Sequence, residues 1–386
     1  QRALNELGPH NLWTPAACHI MRGEFPFLYG YLPDALKGMK ENAYKQLNAR
    51  KDGLWVWQPA GEKHESLGIP GDHTLGQAAG HALHTLRAAR LTGDPVLSAQ
   101  ALDAMKQMER YEVPRGAQTW ECPLYQPDIL AAGYAIRAYC EAYRLTGDAS
   151  HLDHARYWAW TGLPFLYMWD LEGIPTMRYN VISVIGSTFY RHSWFGLPVV
   201  WCGLVYAYGL QDLAEFDDSF SWNTVAEGIL MSAMRQQYTS GPSKGCYPDS
   251  WNMVENRPNP ADINPESILV NGFRLRGQSP EINVVRFERG AEPPVFMNSP
   301  ATIVAHEARF EEGRLRFTLG DMYAPATHTF VAPVDEPGAV EGAGARAANA
   351  EELQGANVGW LYDAELKGVV LKHSAKGTDI TCEIQW

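Results

Sequence analysis

The apolar positions in the first two thirds of the chain follow a helical period, and the pattern repeats. Leu75, Ala79, Leu83 and Leu86 recur every three or four residues, which predicts one face of a helix. A second run of this kind begins at Ile129. Each run ends in the motif Leu-Thr-Gly-Asp, at 91–94 and again 54 residues later. The chain therefore contains an internal repeat.

The Leu-Thr-Gly-Asp motif predicts a tight turn between two helices. Gly93 and Gly147 can adopt the left-handed conformation that ends a helix, and the aspartate after each can cap the next helix. The unit is then a helical hairpin of about fifty residues. Further helical patterns at 36–47, 193–206 and 225–233 extend the array. We expect an α/α toroid that is incomplete, or one whose N-terminal hairpins lie outside this sequence.

From 281 onward the period of the apolar positions changes from that of a helix to two residues, as in a strand. The segments 281–287, 314–319 and 379–384 alternate apolar and polar residues and are rich in β-branched side chains. Several short strands within about a hundred residues predict a small β-sandwich. We therefore divide the chain into a toroid at 1–262, a linker at 263–280 and a β-sandwich at 281–386.

Composition narrows the range of functions. The net charge of −12 disfavours a nucleic-acid partner, which needs a basic face. No run of about 18 apolar residues could span a membrane. The six cysteines form no metal-ligand cluster, so we expect no metal or cofactor, and we interpret Cys140 and Cys202 as buried free thiols. No signal peptide is visible after Gln1, so the location stays open, with secreted or periplasmic among the options.

Candidate chemistry lies on the long connections between hairpins, at about 49–72, 109–127, 161–192 and 238–262. Tight turns occupy one end of the array, so these loops should surround the other end, and a rigid scaffold with long loops is typical of binding sites. The 13 Trp and 18 Tyr suit stacking against the C–H faces of sugars. The candidate substrate-binding residues are Trp57, His73, Trp120, Tyr125, Arg178, Asn180, Arg191, Trp194, Tyr247 and Trp251.

Two carboxylates are candidates for hydrolysis of a glycosidic bond. Glu121 follows a tryptophan shortly before a helix, and partial desolvation there could keep its proton available for a leaving oxygen. Asp249, in the segment Tyr-Pro-Asp-Ser-Trp-Asn, is the candidate partner, because hydrolysis needs a second carboxylate across the sugar. A surface position for Glu121 and a turn-forming role for Asp249 are the structural alternatives. For Asp72 and Asp128, at helix starts, capping is the favoured interpretation.

A second constellation, Tyr190 and His192 with Arg191 between them, suits β-elimination instead. A cation neutralises a uronate carboxylate, and His192 or Tyr190 moves the protons. The sequence thus leaves glycoside hydrolase, uronate polysaccharide lyase and non-catalytic glycan binder as three hypotheses, in that order of preference. The sugar, the linkage and the oligomeric state stay open.

Two resemblances accompany these motifs. The Trp-Glu pair before a helix that ends in Leu-Thr-Gly-Asp resembles the six-hairpin glycosidases, and this implies that Glu121 is the general acid. The segment His192-Ser193-Trp194-Phe195 is similar to the catalytic His-Ser-aromatic-aromatic segment of toroid alginate lyases, which carry Asn where this chain has Arg191. Both resemblances imply a helical toroid and a carbohydrate substrate.

Overall fold

The computed structural model describes residues 20, 27, 30–174, 177–188, 193–278, 281–304, 307–320, 326–374 and 379–386. Helices form the first part of the described chain and antiparallel sheets the last part. The helices are α1 Leu32–Asn48, α2 Leu75–Thr92, α3 Pro95–Met105, α4 Ile129–Thr146, α5 Ser150–Gly162, α6 Val200–Ala214, α7 Trp222–Arg235, α8 Glu266–Leu275 and α9 Ala350–Gly355. This order confirms the predicted change from helix to strand.

The repeated motif forms the two predicted hairpin turns. Gly93 and Gly147 end α2 and α4 with φ of 65° and 74°, in the left-handed region. The Asp94 side chain accepts hydrogen bonds from two backbone N–H groups in the first turn of α3. Asp148 accepts one from Ser150 at the start of α5. The hairpins α2–α3 and α4–α5 are thus fixed by their turn chemistry.

The first helices of the hairpins lie side by side and form the inner row. Helix α4 packs between α2 and α6, while α5 and α7 cover the outside, and α8 packs on α6 and α7. Nearly every residue of α4 is buried. The row needs small side chains, because Gly133 lies against the backbone of Tyr206 on α6.

Twelve strands make up the β elements of the described chain. They are β1 Tyr247–Asn252, β2 Arg257–Ile263, β3 Asn283–Arg289, β4 Glu292–Ser299, β5 Thr302–Ile303, β6 Arg309–Glu311, β7 Arg314–Gly320, β8 Ala326–Ala332, β9 Ala339–Glu341, β10 Gly359–Asp363, β11 Gly368–Ser374 and β12 Ile380–Gln385. β1 and β2 form a separate antiparallel hairpin. The others form one sheet of order β10-β11-β8-β4-β3 and a second of order β5-β7-β12-β9, with β6 beside β7.

The first large sheet separates the helices from the second sheet. On β8 and β11, Phe330 and Val370 belong to the apolar core that the helices share, whereas Val331 and Leu371 belong to a core shared with the second sheet. Alternate residues of a strand point to opposite faces, so this sheet is buried on both sides. The helical and β parts are therefore joined by one continuous core.

The tight-turn end of the helices rests on this sheet. A side chain added at Gly93 would place its Cβ 2.5 Å from the carbonyl oxygen of Ala332 in β8. The long connections therefore lie at the opposite end of the hairpins, as the alternation of short and long connections predicts.

Two sequence-based expectations differ from the structure. The segment 263–280, expected to be a linker, contains α8, whose apolar residues pack on α6 and α7. The helix expected to begin near Ser193 begins at Val200. The capping role predicted for Asp128 is confirmed, but Asp72 accepts a hydrogen bond from Tyr125 instead of capping α2.

Candidate functional site

The four long connections meet at the end of the helices that faces away from the sheets. His64 in the first lies 3.0 Å from the carbonyl oxygen of Trp120 in the second. Gln118 of the second donates to the carbonyl oxygen of Ser183 in the third, at 2.9 Å. The fourth includes β1, whose Trp251 N–H donates to Pro198 at 3.0 Å. Residues from three connections can therefore face one cavity.

Such a cavity, of about 130 Å³, lies where these loops meet. Both candidate carboxylates line it, together with three tryptophans and three smaller side chains. The lining residues are Gln118, Trp120, Glu121, Ser183, Trp194, Val199, Trp201 and Asp249. Glu121 and Asp249 are 128 positions apart in sequence and are brought together by the fold.

Glu121 is held by a short turn before α4. The N–H of Cys122 donates to the carbonyl oxygen of Gln118 at 2.9 Å, and Cys122 is 2% exposed. The buried cysteine anchors the turn, while the Glu121 side chain, which is half-buried, faces the cavity. The next acid along the chain, Asp128, is buried at the start of α4. Burial raises the pKa of Asp128 to about 6.

Asp249 is placed by β1 and by the first turn of α6. Its neighbours Tyr247, Pro248 and Ser250 are buried, so the strand is fixed on both sides of the carboxylate. The indole N–H of Trp201 donates to Asp249 Oδ1 at 3.2 Å. Because an indole can only donate, this contact orients one oxygen of the Asp249 carboxyl group.

Trp120 and Trp201 form an aromatic wall beside the two carboxylates. Their rings stack at 6.2 Å between centroids with 29° between planes, and Trp120 is 43% exposed. Trp194 lines the cavity from a more buried position. An accessible flat ring next to paired acids is suited to a sugar, whose C–H face packs on the ring while its hydroxyls reach the polar groups.

The electrostatics of the buried Cys202 thiol agree with the convergence of Glu121 and Asp249 at the cavity. Burial raises the pKa of the Cys202 thiol well above its usual range, and the charges of Asp249, Asp128 and Glu121 raise it further. Several carboxylates therefore act on one buried thiol. Both Cys140 and Cys202 are fully buried free thiols, as predicted.

Four predicted binding residues lie on the surface of these loops, outside the cavity lining. Tyr125, 41% exposed, donates to Asp72 at 2.6 Å, and His73 Nδ1 lies 2.9 Å from the Tyr111 hydroxyl. The remaining two also contact neighbours, Arg178 at 3.7 Å from Asp170 and Trp251, whose indole donates to Asn256 at 3.2 Å. Substrate contacts for these four remain a prediction.

Three other predicted binding residues are buried. Trp57, 3% exposed, packs with Leu67 and Leu124, and this cluster joins the first two connections. Asn180 and Tyr247 are both 0% exposed. Substrate contacts for these three remain a prediction.

The predicted elimination site at Tyr190, Arg191 and His192 lies outside the described residues. Its assignment therefore stays a prediction. Ser193 and Trp194, which follow it, are described, and Trp194 lines the cavity.

Gln118, Ser183 and Trp201 are cavity residues that the sequence analysis missed. Gln118 stands two positions before Trp120, and its nearness to the Trp-Glu pair was an available signal. Trp201 fitted the apolar pattern of α6, and Ser183 has no motif around it, so only the three-dimensional arrangement identifies them.

A larger cavity, of about 450 Å³, lies at the other end of the helices, between the turn at 93–96 and the first large sheet. Two ion pairs lie in its wall, Lys40 with Asp94 at 2.7 Å and Arg289 with Glu292 at 3.2 Å. We interpret this cavity as the junction between layers, because it lies between the helices and the sheet and no aromatic ring is among its described lining residues.

Within the described part of the chain, no cluster of His, Cys, Asp or Glu is arranged to hold a metal ion. None of the described helices is long and apolar enough to cross a membrane.

Comparisons with known proteins give likenesses of fold. No protein-family model and no curated protein matches the chain. The similar solved structures include a family 76 α-mannanase from Bacteroides thetaiotaomicron, with 13% identity and a TM-score of 0.42 over 64% of this chain. They also include the unsaturated glucuronyl hydrolase of Bacillus sp. GL1, responsible for glycosaminoglycan degradation, with 16% identity and a TM-score of 0.44 over 64% of this chain and 70% of that one.

A heparin-specific unsaturated glucuronyl hydrolase is similar as well, with 14% identity and a TM-score of 0.42 over 63% of this chain and 68% of that one. By name these structures are glycan-cleaving enzymes, the class that the sequence motifs resemble. The chain spans 62% of the mannanase, less than two thirds of its length. A likeness at this level concerns the fold alone, so function has to be argued from the site.

Proposed function

We propose that this protein is a glycoside hydrolase whose active site is the cavity lined by Glu121 and Asp249. The observation that carries the proposal is the convergence of these two acids, from different loops, beside the exposed ring of Trp120. Two carboxylates on either side of a scissile bond form the minimal machinery for cleaving a glycoside. The likeness to glycan-cleaving enzymes is compatible with this function but does not carry it.

In this proposal Glu121 is the general acid and gives its proton to the oxygen of the leaving sugar as the C–O bond breaks. Asp249, whose Oδ1 accepts the Trp201 N–H, is the ionised partner. It either removes a proton from the attacking water or attacks the anomeric carbon itself. Trp120 and Trp201 pack against the ring of the sugar.

We further interpret the helical array as part of an α/α toroid and the two large sheets as a β-sandwich. The side-by-side inner helices support the first interpretation, and the apolar core shared by both sheets supports the second. In this arrangement the sandwich supports the closed end of the hairpins and leaves the loop end open to substrate.

The experiment is product analysis on a panel of polysaccharides, including mannans, glucans, xylans and glycosaminoglycans, with the parent and three variants. New reducing ends without absorbance from unsaturated uronate indicate hydrolysis. Glu121→Gln and Asp249→Asn should each lower the rate by about 10²–10⁴-fold, the usual contribution of acid–base catalysis. Glu112→Gln, an exposed glutamate of the same loop, is the matched control and should retain the parent rate.

The outcomes separate the three hypotheses. Reducing ends together with unsaturated uronate would replace the hydrolase by the lyase, and His192→Ala should then abolish activity while Glu121→Gln is mild. Binding of a glycan without either product would leave a non-catalytic binder. Parent-like rates in both carboxylate variants would refute the proposal.

A further inference from the structure

Ser183 is the least expected residue in the cavity. Its side chain is 1% exposed, and it lies in the third long connection, between the apolar residues Ile182 and Val184. Its hydroxyl oxygen is buried and has no hydrogen-bond partner among the described residues. At the same time Ser183 lines the cavity that holds Glu121 and Asp249. The hydroxyl is therefore a polar group at the wall of the candidate site.

The backbone of Ser183 is fixed from two sides. Its carbonyl oxygen accepts the side-chain N–H of Gln118 at 2.9 Å and the backbone N–H of Ile129, at the start of α4, at 3.2 Å. The next residue, Val184, pairs with Asp128 in an isolated β-bridge. These contacts fix the Cα–Cβ bond of Ser183, so the hydroxyl can change position only by rotation about that bond.

A buried hydroxyl without a partner is costly, and such groups in folded proteins usually meet a ligand, water or ion. We propose that Ser183 binds a hydroxyl group of the sugar in the cavity and thereby selects sugars that carry a hydroxyl at that ring position. The inference rests on the proposed function, and it adds a specificity-determining residue. Gln118 acts through Ser183 as a positioning residue.

This role has a specific consequence for selectivity. A site that hydrogen-bonds a substrate hydroxyl rejects the analogue that lacks it, because the protein group is then left unpaired. Removing the serine hydroxyl should remove that discrimination at one ring position and leave it at the others. Loss of a merely structural serine would not single out one hydroxyl of the ligand.

The test uses methyl glycosides of glucose, mannose and galactose, each with its 2-, 3-, 4- and 6-deoxy derivatives. Their dissociation constants are measured by NMR titration with the parent and with Ser183→Ala. The parent should bind one sugar about tenfold more weakly after loss of one particular hydroxyl, the scale of one neutral hydrogen bond. Ser183→Ala should bind the intact sugar about tenfold more weakly and should not distinguish it from that deoxy sugar.

Ser299→Ala is the matched control, since Ser299 is equally buried but accepts a hydrogen bond from Thr329 at 2.8 Å, in the sheet far from the cavity. It should lower the thermal midpoint and keep the selectivity. The midpoint of Ser183→Ala should not fall, because its hydroxyl has no hydrogen-bond partner to lose among the residues that the structure describes.

If Ser183→Ala distinguishes the intact sugar from the deoxy sugar as well as the parent does, the inference is overturned. The Ser183 hydroxyl of the parent would then be satisfied by a water molecule. Failure of every methyl glycoside to bind the parent overturns the inference too. If the parent still cleaves a polysaccharide in the product assay, only the role of Ser183 falls. If it neither binds nor cleaves a glycan, the proposed function falls as well.

Discussion

The change Asp212→Asn tests a buried charge network at the base of the inner helices. Asp212 is 2% exposed and contacts three arginines, Arg137 at 3.1 Å, Arg144 at 3.0 Å and Arg274 at 2.8 Å. The arginines come from α4 and α8 and Asp212 from α6, so the aspartate links three helices. Asparagine keeps the shape but leaves the three cations with less compensation.

The expected cost follows from the loss of a buried partner. Breaking a buried ion pair by removing one partner typically costs about 3–5 kcal/mol, because the other charge stays buried. An unfolding entropy of roughly 2.1 cal/mol/K per residue gives about 0.8 kcal/mol/K for cooperative unfolding of a chain of 386 residues. A loss of about 4 kcal/mol should therefore lower the thermal midpoint by about 5 °C.

Differential scanning calorimetry and urea unfolding at pH 7 measure both quantities. The matched control is Asp153→Asn. The Asp153 side chain is 75% exposed and lies 2.9 Å from Arg156. An exposed pair contributes at most about 1 kcal/mol, so this variant should stay close to the parent. Equal losses in the two variants would refute the reasoning that burial gives the network its weight.

Three further expectations follow. Gly93→Ala should destabilise the chain more than Gly53→Ala does in urea unfolding. Both positions need a left-handed backbone, but only at position 93 would the added Cβ press against Ala332. Equal losses of stability would contradict the packing at the turn. Burial raises the pKa of Glu141, but its arginine neighbours lower that pKa by more, so the net shift is downward. The contribution of Glu141 to stability is therefore present above about pH 4.5 and is lost as the pH falls below that value. Urea midpoints of Glu141→Gln should therefore fall less than those of the parent on acidification, and an equal fall would contradict this. Finally, mass spectrometry after alkylation should find the half-buried Cys246 modified before Cys140, whose pKa burial raises, and the reverse order would contradict the burial argument.

The helical array could be predicted because its signals are local. The apolar period, the left-handed Gly93 and the capping Asp94 all act within a few residues of each other. The change to strands at 281 was equally visible, since alternation is a property of neighbouring positions. Helix α8 was not predicted within the segment 263–280, where the structure packs it on α6 and α7.

The site was predictable only in part, for the same physical reason. Glu121 and Trp120 carry a local signal, and Asp249 was found by the need for a second acid. Whether an aromatic residue faces solvent or a neighbouring loop depends on contacts between distant segments. Trp57 is therefore buried although Trp120, in a similar loop, is exposed. Ser183 has no local signal at all.

The central claim, that Glu121 is the general acid of a glycoside hydrolase, is tested most directly by varying the leaving group. Glu121→Gln and the parent are compared on the oligosaccharide that the parent cleaves and on the matching dinitrophenyl glycoside, whose leaving group needs no proton. The account predicts a loss of about 10²–10⁴-fold on the oligosaccharide and a rate close to that of the parent on the dinitrophenyl glycoside. An equal loss on both substrates, or no loss on either, would contradict it.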